Sequence, residues 1–278
     1  MTNKYKTALV ISAGLFATAF TTMDSHAADR RICNPGNGIT GTFGGDFFTY
    51  FESSTANDER NSNVCITLTN TPNRGEFTID FNQPRTFKED VVGGVGFANG
   101  SPTRVINYEL KEIKSNSSLN KNIAGVYGWT CGSRDRAKFP KTKAQEYYVV
   151  NSWTGRGQYV PFDENAGREA TPIKEIRANG ATYDIYVVGR DGPQFCGDGT
   201  SREFEQFWSV RRGRLPAGTG KNNQRTVDFA NHVNAWRSEG FSRDKVRNGY
   251  QVVFGEAFGA GPNNGKRHVG TVNARIIK

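Results

Sequence analysis

Gln145-Glu146-Tyr147-Tyr148-Val149-Val150-Asn151-Ser152-Trp153 is the stretch whose conformation decides how the chain folds. Consecutive aromatic and β-branched residues favour an extended strand. A period of two places Glu146, Tyr148 and Val150 on one face and Tyr147, Val149 and Asn151 on the other. Glu146 therefore shares its face with large, mostly apolar neighbours. Two readings of such a carboxylate are open: an edge strand on which it meets water or a lysine, or a chemical group in a cleft. The second needs a partner carboxylate elsewhere in the chain.

Outward from this stretch the pattern stays extended. Strands are expected at 47–51, 64–68, 76–81, 91–97, 104–108, 123–129, 182–188, 204–211, 250–258 and 269–277. Residues 64–68 and 76–81 form a hairpin around Thr71-Pro72-Asn73-Arg74-Gly75, with Phe77, Ile79 and Phe81 on one face. Gly-rich residues 28–45 are expected to be irregular, and polar residues 111–122 to be a loop. One helix is expected: Asp228 is its N-cap, Phe229, Val233 and Trp236 recur at helical spacing, and Gly240 supplies the left-handed cap. Many strands with a single α-helix predict an all-β fold, a two-sheet β-sandwich. Composition agrees, with 32 Gly, 19 Phe and 10 Tyr among 278 residues.

Residues 1–27 read as a secretory signal. Lys4 and Lys6 give a basic start, 7–20 an apolar core too short to span a bilayer, and Ser25-His26-Ala27 a cleavage site, with the cut after Ala27 or Ala28. Losing two lysines and one aspartate takes the formal charge from +9 to +8. No later apolar run is long enough to cross a membrane, and no linker or repeat divides 28–278, so one exported domain and no membrane contact are expected. Lysine and arginine are scattered, so the charge does not make a nucleic-acid-binding protein, and a monomer is expected.

Cys33, Cys65, Cys131 and Cys196 all lie in the exported part, an even count that suggests two disulfides in one of three pairings. Cys33–Cys65 and Cys131–Cys196 are favoured, the first tethering the N-terminal segment and the second joining two loops beside Glu146. His26 leaves with the signal, and His232 and His268 stand alone, so neither a metal nor another cofactor is expected.

The second carboxylate lies in Tyr250-Gln251-Val252-Val253-Phe254-Gly255-Glu256-Ala257-Phe258, where Glu256 shares its face with Tyr250, Val252, Phe254 and Phe258. Two glutamates on aromatic strands fit a retaining glycosidase, which needs a nucleophile and an acid/base about 5–5.5 Å apart. Two unrelated surface glutamates remain the alternative on pattern alone.

With these residues in view the chain resembles the glycoside hydrolase family eleven endo-1,4-β-xylanases from Phe47 to the C-terminus. The resemblance is carried by Val126-Tyr127-Gly128-Trp129-Thr130, Glu146-Tyr147-Tyr148-Val149-Val150, Thr182-Tyr183-Asp184-Ile185-Tyr186, Gln206-Phe207-Trp208-Ser209-Val210-Arg211, Asn231-His232-Val233-Asn234-Ala235-Trp236 and Tyr250-Gln251-Val252. It implies a jelly roll likened to a partly closed right hand, and hydrolysis of internal bonds of xylan with retention. Glu146 would be the nucleophile and Glu256 the acid/base. Arg190 would favour the ionised Glu146, Gln206 would hydrogen-bond it, and Tyr127 and Tyr148 would line the central subsite. Trp129 is a further substrate-binding candidate.

The same resemblance puts Phe51 where the family has a stacking tryptophan, with Tyr250 facing it, and makes 190–201 the mobile thumb, with Pro193 at its tip. Asp90 is the candidate for the neighbour that tunes the acid/base, where the family's Asp shifts the optimum acid and its Asn toward neutral or alkaline; Glu89 or a solvated turn competes for that place. Departures are the insertion 131–143, Phe258 in place of a tyrosine, and thumb residues after Pro193. A Cys131–Cys196 bridge would fasten thumb to insertion. The other reading keeps the cleft without efficient hydrolysis, as a polysaccharide-binding relative that favours acidic glycans; Glu146, Glu256, Arg190 and Gln206 together argue for the enzyme.

Overall fold

Strand pairing organises nearly every described segment of the computed structural model, which covers residues 28–33, 38–52, 64–71, 74–83, 90–116, 121–132, 144–192, 194–196, 203–218, 223–258 and 268–277. In chain order the strands are β1 (Arg30–Cys33), β2 (Ile39–Phe43), β3 (Asp46–Glu52), β4 (Cys65–Thr71), β5 (Arg74–Gln83), β6 (Asp90–Phe97), β7 (Val105–Ser115), β8 (Asn122–Thr130) and β9 (Gln145–Trp153). They continue as β10 (Phe162–Asp163), β11 (Arg168–Glu169), β12 (Lys174–Ala178), β13 (Ala181–Asp191), β14 (Glu203–Arg211), β15 (Gln224–Asp228), β16 (Gln251–Phe258) and β17 (His268–Ile277), with helix α1 (Phe229–Arg237) after β15. A six-stranded sheet has the order β1-β4-β5-β17-β7-β15, and a nine-stranded sheet the order β12-β13-β14-β9-β8-β16-β6-β3-β2. β10 and β11 form a separate ribbon.

Alternation along the strands makes two cores. Tyr147 and Val149 of β9 pack with Phe77, Ile79, Phe81 and Val272 of the smaller sheet, the ordinary interior of a sandwich. Tyr148 and Val150 point the other way, into a cluster drawn from the larger sheet and its loops. That second cluster covers the face turned away from the small sheet. The edge-strand reading of Glu146 does not survive, because β9 runs between β14 and β8 and is buried along its whole length.

Helix α1 starts as expected, with Asp228 Oδ1 accepting from Ala230 N at 3.2 Å. Trp236 is fully buried among Phe229, Tyr147 and Phe241, all within 6.0 Å between ring centroids. Both expected disulfides are formed, Cys33–Cys65 and Cys131–Cys196.

Two expectations are corrected. Residues 28–45 are not irregular: β1 pairs with β4 from Arg30↔Leu68 to Cys33↔Cys65, and β2 turns into β3 through Gly44 and Gly45 at φ 57° and 84°. Two residues with positive φ are what a tight hairpin needs, so the glycines there mark a turn between strands. The 111–122 loop is also wrong at its start, since β7 extends to Ser115. Its polar residues sit on the open face of a paired strand, where Lys111 meets Glu76 at 2.5 Å. Residues 1–27, and 133–143 of the insertion, lie outside the described residues.

Trp236→Ala should lower unfolding free energy by about 3–5 kcal/mol, the usual cost of emptying a large aromatic site. Urea denaturation with an unchanged slope measures it, and a loss below about 1 kcal/mol would mean that the helix is not part of the cooperative core.

Candidate active site

Glu146 projects from the middle of the nine-stranded sheet, so burial must be offset by hydrogen bonds. Its two oxygens are held from opposite sides. The Tyr127 hydroxyl on β8 donates to Oε1 at 2.5 Å, and Gln206 Nε2 on β14 donates to Oε2 at 2.5 Å. Each donor is itself oriented by an indole: Trp129 Nε1 donates to the Tyr127 oxygen at 2.7 Å, and Trp208 Nε1 to Gln206 Oε1 at 3.2 Å. The second contact leaves the amide nitrogen of Gln206 to face Glu146. Gln206 stands level with Glu146 because β14 runs parallel to β9, in the register Gln206↔Glu146 and Trp208↔Tyr148.

Glu256, on β16, has different surroundings. It is 1% exposed, its Oε2 has no hydrogen-bond partner among the described residues, and the Tyr148 hydroxyl is its hydrogen-bonding neighbour. Burial raises its pKa well above the carboxylate range, and the charges of Asp90 and Glu146 raise it further. Burial also pushes Glu146 up, to about 7, against the hydrogen bonds from Tyr127 and Gln206 and the charge of Arg190. Two carboxylates are thus set apart: Glu146 is the easier to ionise, and Glu256 the easier to keep protonated. Arg190 acts on Glu146 in the lowering direction, and desolvation outweighs it.

Arg190, near the end of β13, makes its direct contacts to Asp90 at 3.4 Å and Glu164 at 2.5 Å. Asp90 starts β6 opposite Phe258, two positions along from the Val92↔Glu256 pair. It is therefore beside the acid-like glutamate, with its carboxylate turned to Arg190.

Aromatic rings fill the same face. Tyr148 stacks on Trp208 at 3.7 Å and leans on Tyr127 at 4.8 Å. Tyr250 has Phe47 at 5.4 Å and Phe195 edge-on at 4.5 Å. The ring that β3 sets against Tyr250 is therefore Phe47; Phe51 lies four residues further along, in register with Val92. Pro193 lies outside the described residues. Phe195 is carried over Tyr250 by the neighbouring Cys196, whose bridge to Cys131 ends on a well-anchored backbone: Asn248 Nδ2 donates to Cys131 O at 2.9 Å.

Trp208, Tyr159 and Glu164 belong to this assembly without having been singled out as site residues in the sequence. Trp208 could have been found, because it alternates with Gln206 on one strand face. Tyr159, 5.9 Å from Trp208 and 6.1 Å from Phe258, folds back from a segment with no strand period, and Glu164 sits in a turn. Neither carries a local signal. Among the described residues no group of three or more His, Cys, Asp or Glu is placed to hold a metal.

A β-sandwich whose aromatic sheet face carries two buried carboxylates of unequal acidity has the makings of a glycoside hydrolase. The chain belongs to glycosyl hydrolases family 11, whose sequence profile matches residues 50–268. It is 33% identical over 219 residues to endo-1,4-beta-xylanase 3 of Pyricularia oryzae, covering 79% of this chain and 74% of that protein. It is 31% identical to endo-1,4-beta-xylanase A of Schizophyllum commune, over 79% of this chain and 91% of that one. The family 11 xylanase structure from Neocallimastix patriciarum has the same fold, with a TM-score of 0.57 at 17% identity, over 88% of this chain and 96% of that one.

Because the Asp90 charge raises both glutamates, Asp90→Asn should lower the titration midpoints of Glu256 and Glu146, while the amide oxygen still accepts from Arg190. Carbon-13 NMR of carboxyl-labelled glutamate reads this directly. A rise would restore the family trend for Asn and show that Asp90 acts by a hydrogen bond that outweighs its charge.

Proposed function

We propose that the protein is an exported, retaining endo-1,4-β-xylanase that cuts internal β-1,4 bonds of xylan, with Glu146 as nucleophile and Glu256 as acid/base. The observation that carries the reading is the asymmetry between the two carboxylates: Glu146 is clamped by two neutral donors, and one buried oxygen of Glu256 has no hydrogen-bond partner among the described residues. Neutral donors orient Glu146 without neutralising it, and each oxygen keeps a lone pair.

In the first step Glu256 gives its proton to the glycosidic oxygen as the bond from that oxygen to the anomeric carbon breaks. Glu146 Oε attacks the same carbon from the opposite face and forms a glycosyl ester. The ester carries no charge, so the repulsion that raises Glu256 is relieved and its pKa falls. Glu256 then removes a proton from water, whose oxygen attacks the anomeric carbon and releases Glu146. Two inversions retain the β configuration. Burial keeps the Tyr127 hydroxyl protonated, its pKa raised by desolvation and by Glu146, so it remains a donor throughout.

Phe51, Trp129 and Tyr250 supply rings for contact with the sugar, and Tyr127 and Tyr148 line the central subsite. The thumb would be held near Tyr250 by Cys131–Cys196, with Pro193 at its tip. Residues 28–278 form the mature single-domain, monomeric enzyme, after removal of the signal near Ala27. Among the described residues no helix is long and apolar enough to cross a membrane.

Purified residues 28–278 should release oligosaccharides from linear xylan and glucuronoxylan and not from cellulose. Glu146→Gln and Glu256→Gln should each lower kcat by roughly a thousandfold or more. Proton NMR should show the β anomer first. Hydrolysis that survives both substitutions refutes the pair, an α anomer formed first refutes retention, and binding of xylan without hydrolysis by the unmodified protein favours the binding relative.

A further inference from the structure

We propose that Glu164 is a positioning residue for the reaction: from the turn between β10 and β11 it holds the Arg190 guanidinium in place beside Glu146 and Glu256. Arginine has a long side chain with much rotamer freedom, and a charge acts on a neighbour only where it is held. Glu164 uses both oxygens for this. Oε1 accepts from Arg190 Nη1 at 2.5 Å, and Oε2 accepts from the backbone N of Asp191 at 3.0 Å. The carboxylate is therefore fixed to the strand that carries the arginine as well as to its head group. Asp90 takes the other terminal nitrogen, Nη2, at 3.4 Å.

The turn that carries Glu164 is built to stay seated on β13. Asp163 Oδ1 accepts from Asn165 N at 3.0 Å and Ala166 N at 3.3 Å, and Gly167 closes the turn at φ 65°. The Asn165 amide rests against Gly189, in the space that a Cβ there would occupy. Three consecutive residues of β13, Gly189, Arg190 and Asp191, thus meet the ribbon. The ribbon lies in a segment with no sequence feature of its own, which is why its role is visible only in three dimensions.

The groups that face Arg190 are Asp90 from β6, Glu164 from the ribbon, Glu146 and Tyr148 from β9, and Glu256 and Tyr159. Burial works against its charge, and the charges of Asp90, Glu164 and Glu146 overcome that. Arg190 in turn lowers both Glu146 and Glu256. Glu146 is also faced by Tyr127, Gln206 and Asp90. Removing a negative charge alone would lower the two glutamates. Releasing Arg190 would raise them. The sign of the change therefore separates a positioning role from a bystander charge.

The inference rests on the proposed roles of Glu146 and Glu256, and the test is chosen to read it without substrate. Carbon-13 NMR of carboxyl-labelled full-length mature protein should show the Glu146 midpoint rising in Glu164→Ala by roughly half to one unit, a fraction of the one to three units that a close arginine imposes. The acid limb of kcat/KM on xylan should move by the same amount. In an Arg190→Gln background the further change Glu164→Ala should leave no upward shift. Should Glu164→Ala not fold, Glu164→Gln keeps one of the two contacts and should give a smaller upward shift. An unchanged or lowered midpoint in the folded variant, or an upward shift that persists without Arg190, overturns the role. An active enzyme with no shift refutes only Glu164, whereas an inactive wild type that shows the shift refutes the function and leaves the contact a structural one.

Discussion

A carboxylate in the middle of a buried sheet is the constraint around which this protein is arranged. Glu146 could not stay on β9 without donors for both oxygens, since an unsatisfied buried carboxylate is far costlier than an exposed one. The donors come from the two strands that flank it, Tyr127 on β8 and Gln206 on β14. That in turn requires β14 to lie parallel to β9 in the register Gln206↔Glu146. A slip of one residue would turn Gln206 to the sandwich interior and bring Phe207 beside the carboxylate. The long path from the end of β9 to the start of β14, through the ribbon, β12 and β13, is what a parallel pairing demands, because two parallel strands cannot be joined by a tight turn.

The same path delivers the charge balance of the site. β13 carries Arg190 to the face where Asp90 arrives from β6, and the ribbon supplies Glu164. Arg190 lies between acidic groups from three separate parts of the chain. Desolvation by itself would leave both glutamates neutral, and the hydrogen bonds and Arg190 pull Glu146 back down further than Glu256. Unequal acidity is thus a product of unequal partners around two chemically identical side chains.

The aromatic lining has a comparable logic. Indole donors from Trp129 and Trp208 orient the Tyr127 hydroxyl and the Gln206 amide toward Glu146. The tethered Cys196 brings Phe195 edge-on to Tyr250. A disulfide between the loop and the segment after β8 limits how far that ring can withdraw, so the geometry at Tyr250 depends on a covalent link far from it in sequence.

Much of this was legible in the sequence. Period-two alternation around Glu146 and Glu256 assigned both to strand faces crowded with aromatics, the i, i+4, i+7 spacing of Phe229, Val233 and Trp236 marked the helix, and the motifs that carry the family resemblance marked Gln206 and Tyr127. These are local patterns, written in side chains a few residues apart. What local pattern could not show is which strands lie side by side. Glycine-rich 28–45 carries only weak strand propensity, which strand pairing, with Cys33 opposite Cys65, overrides, and 111–115 looks like a loop because its polar open face gives no sign of its ladder partners. Local side-chain pattern was enough for the β class, the two candidate carboxylates and the family resemblance. That β9 is central, that Phe47 is the β3 ring against Tyr250, and that Glu164 reaches Arg190 follow from register and from contacts between residues distant along the chain, which no local pattern carries.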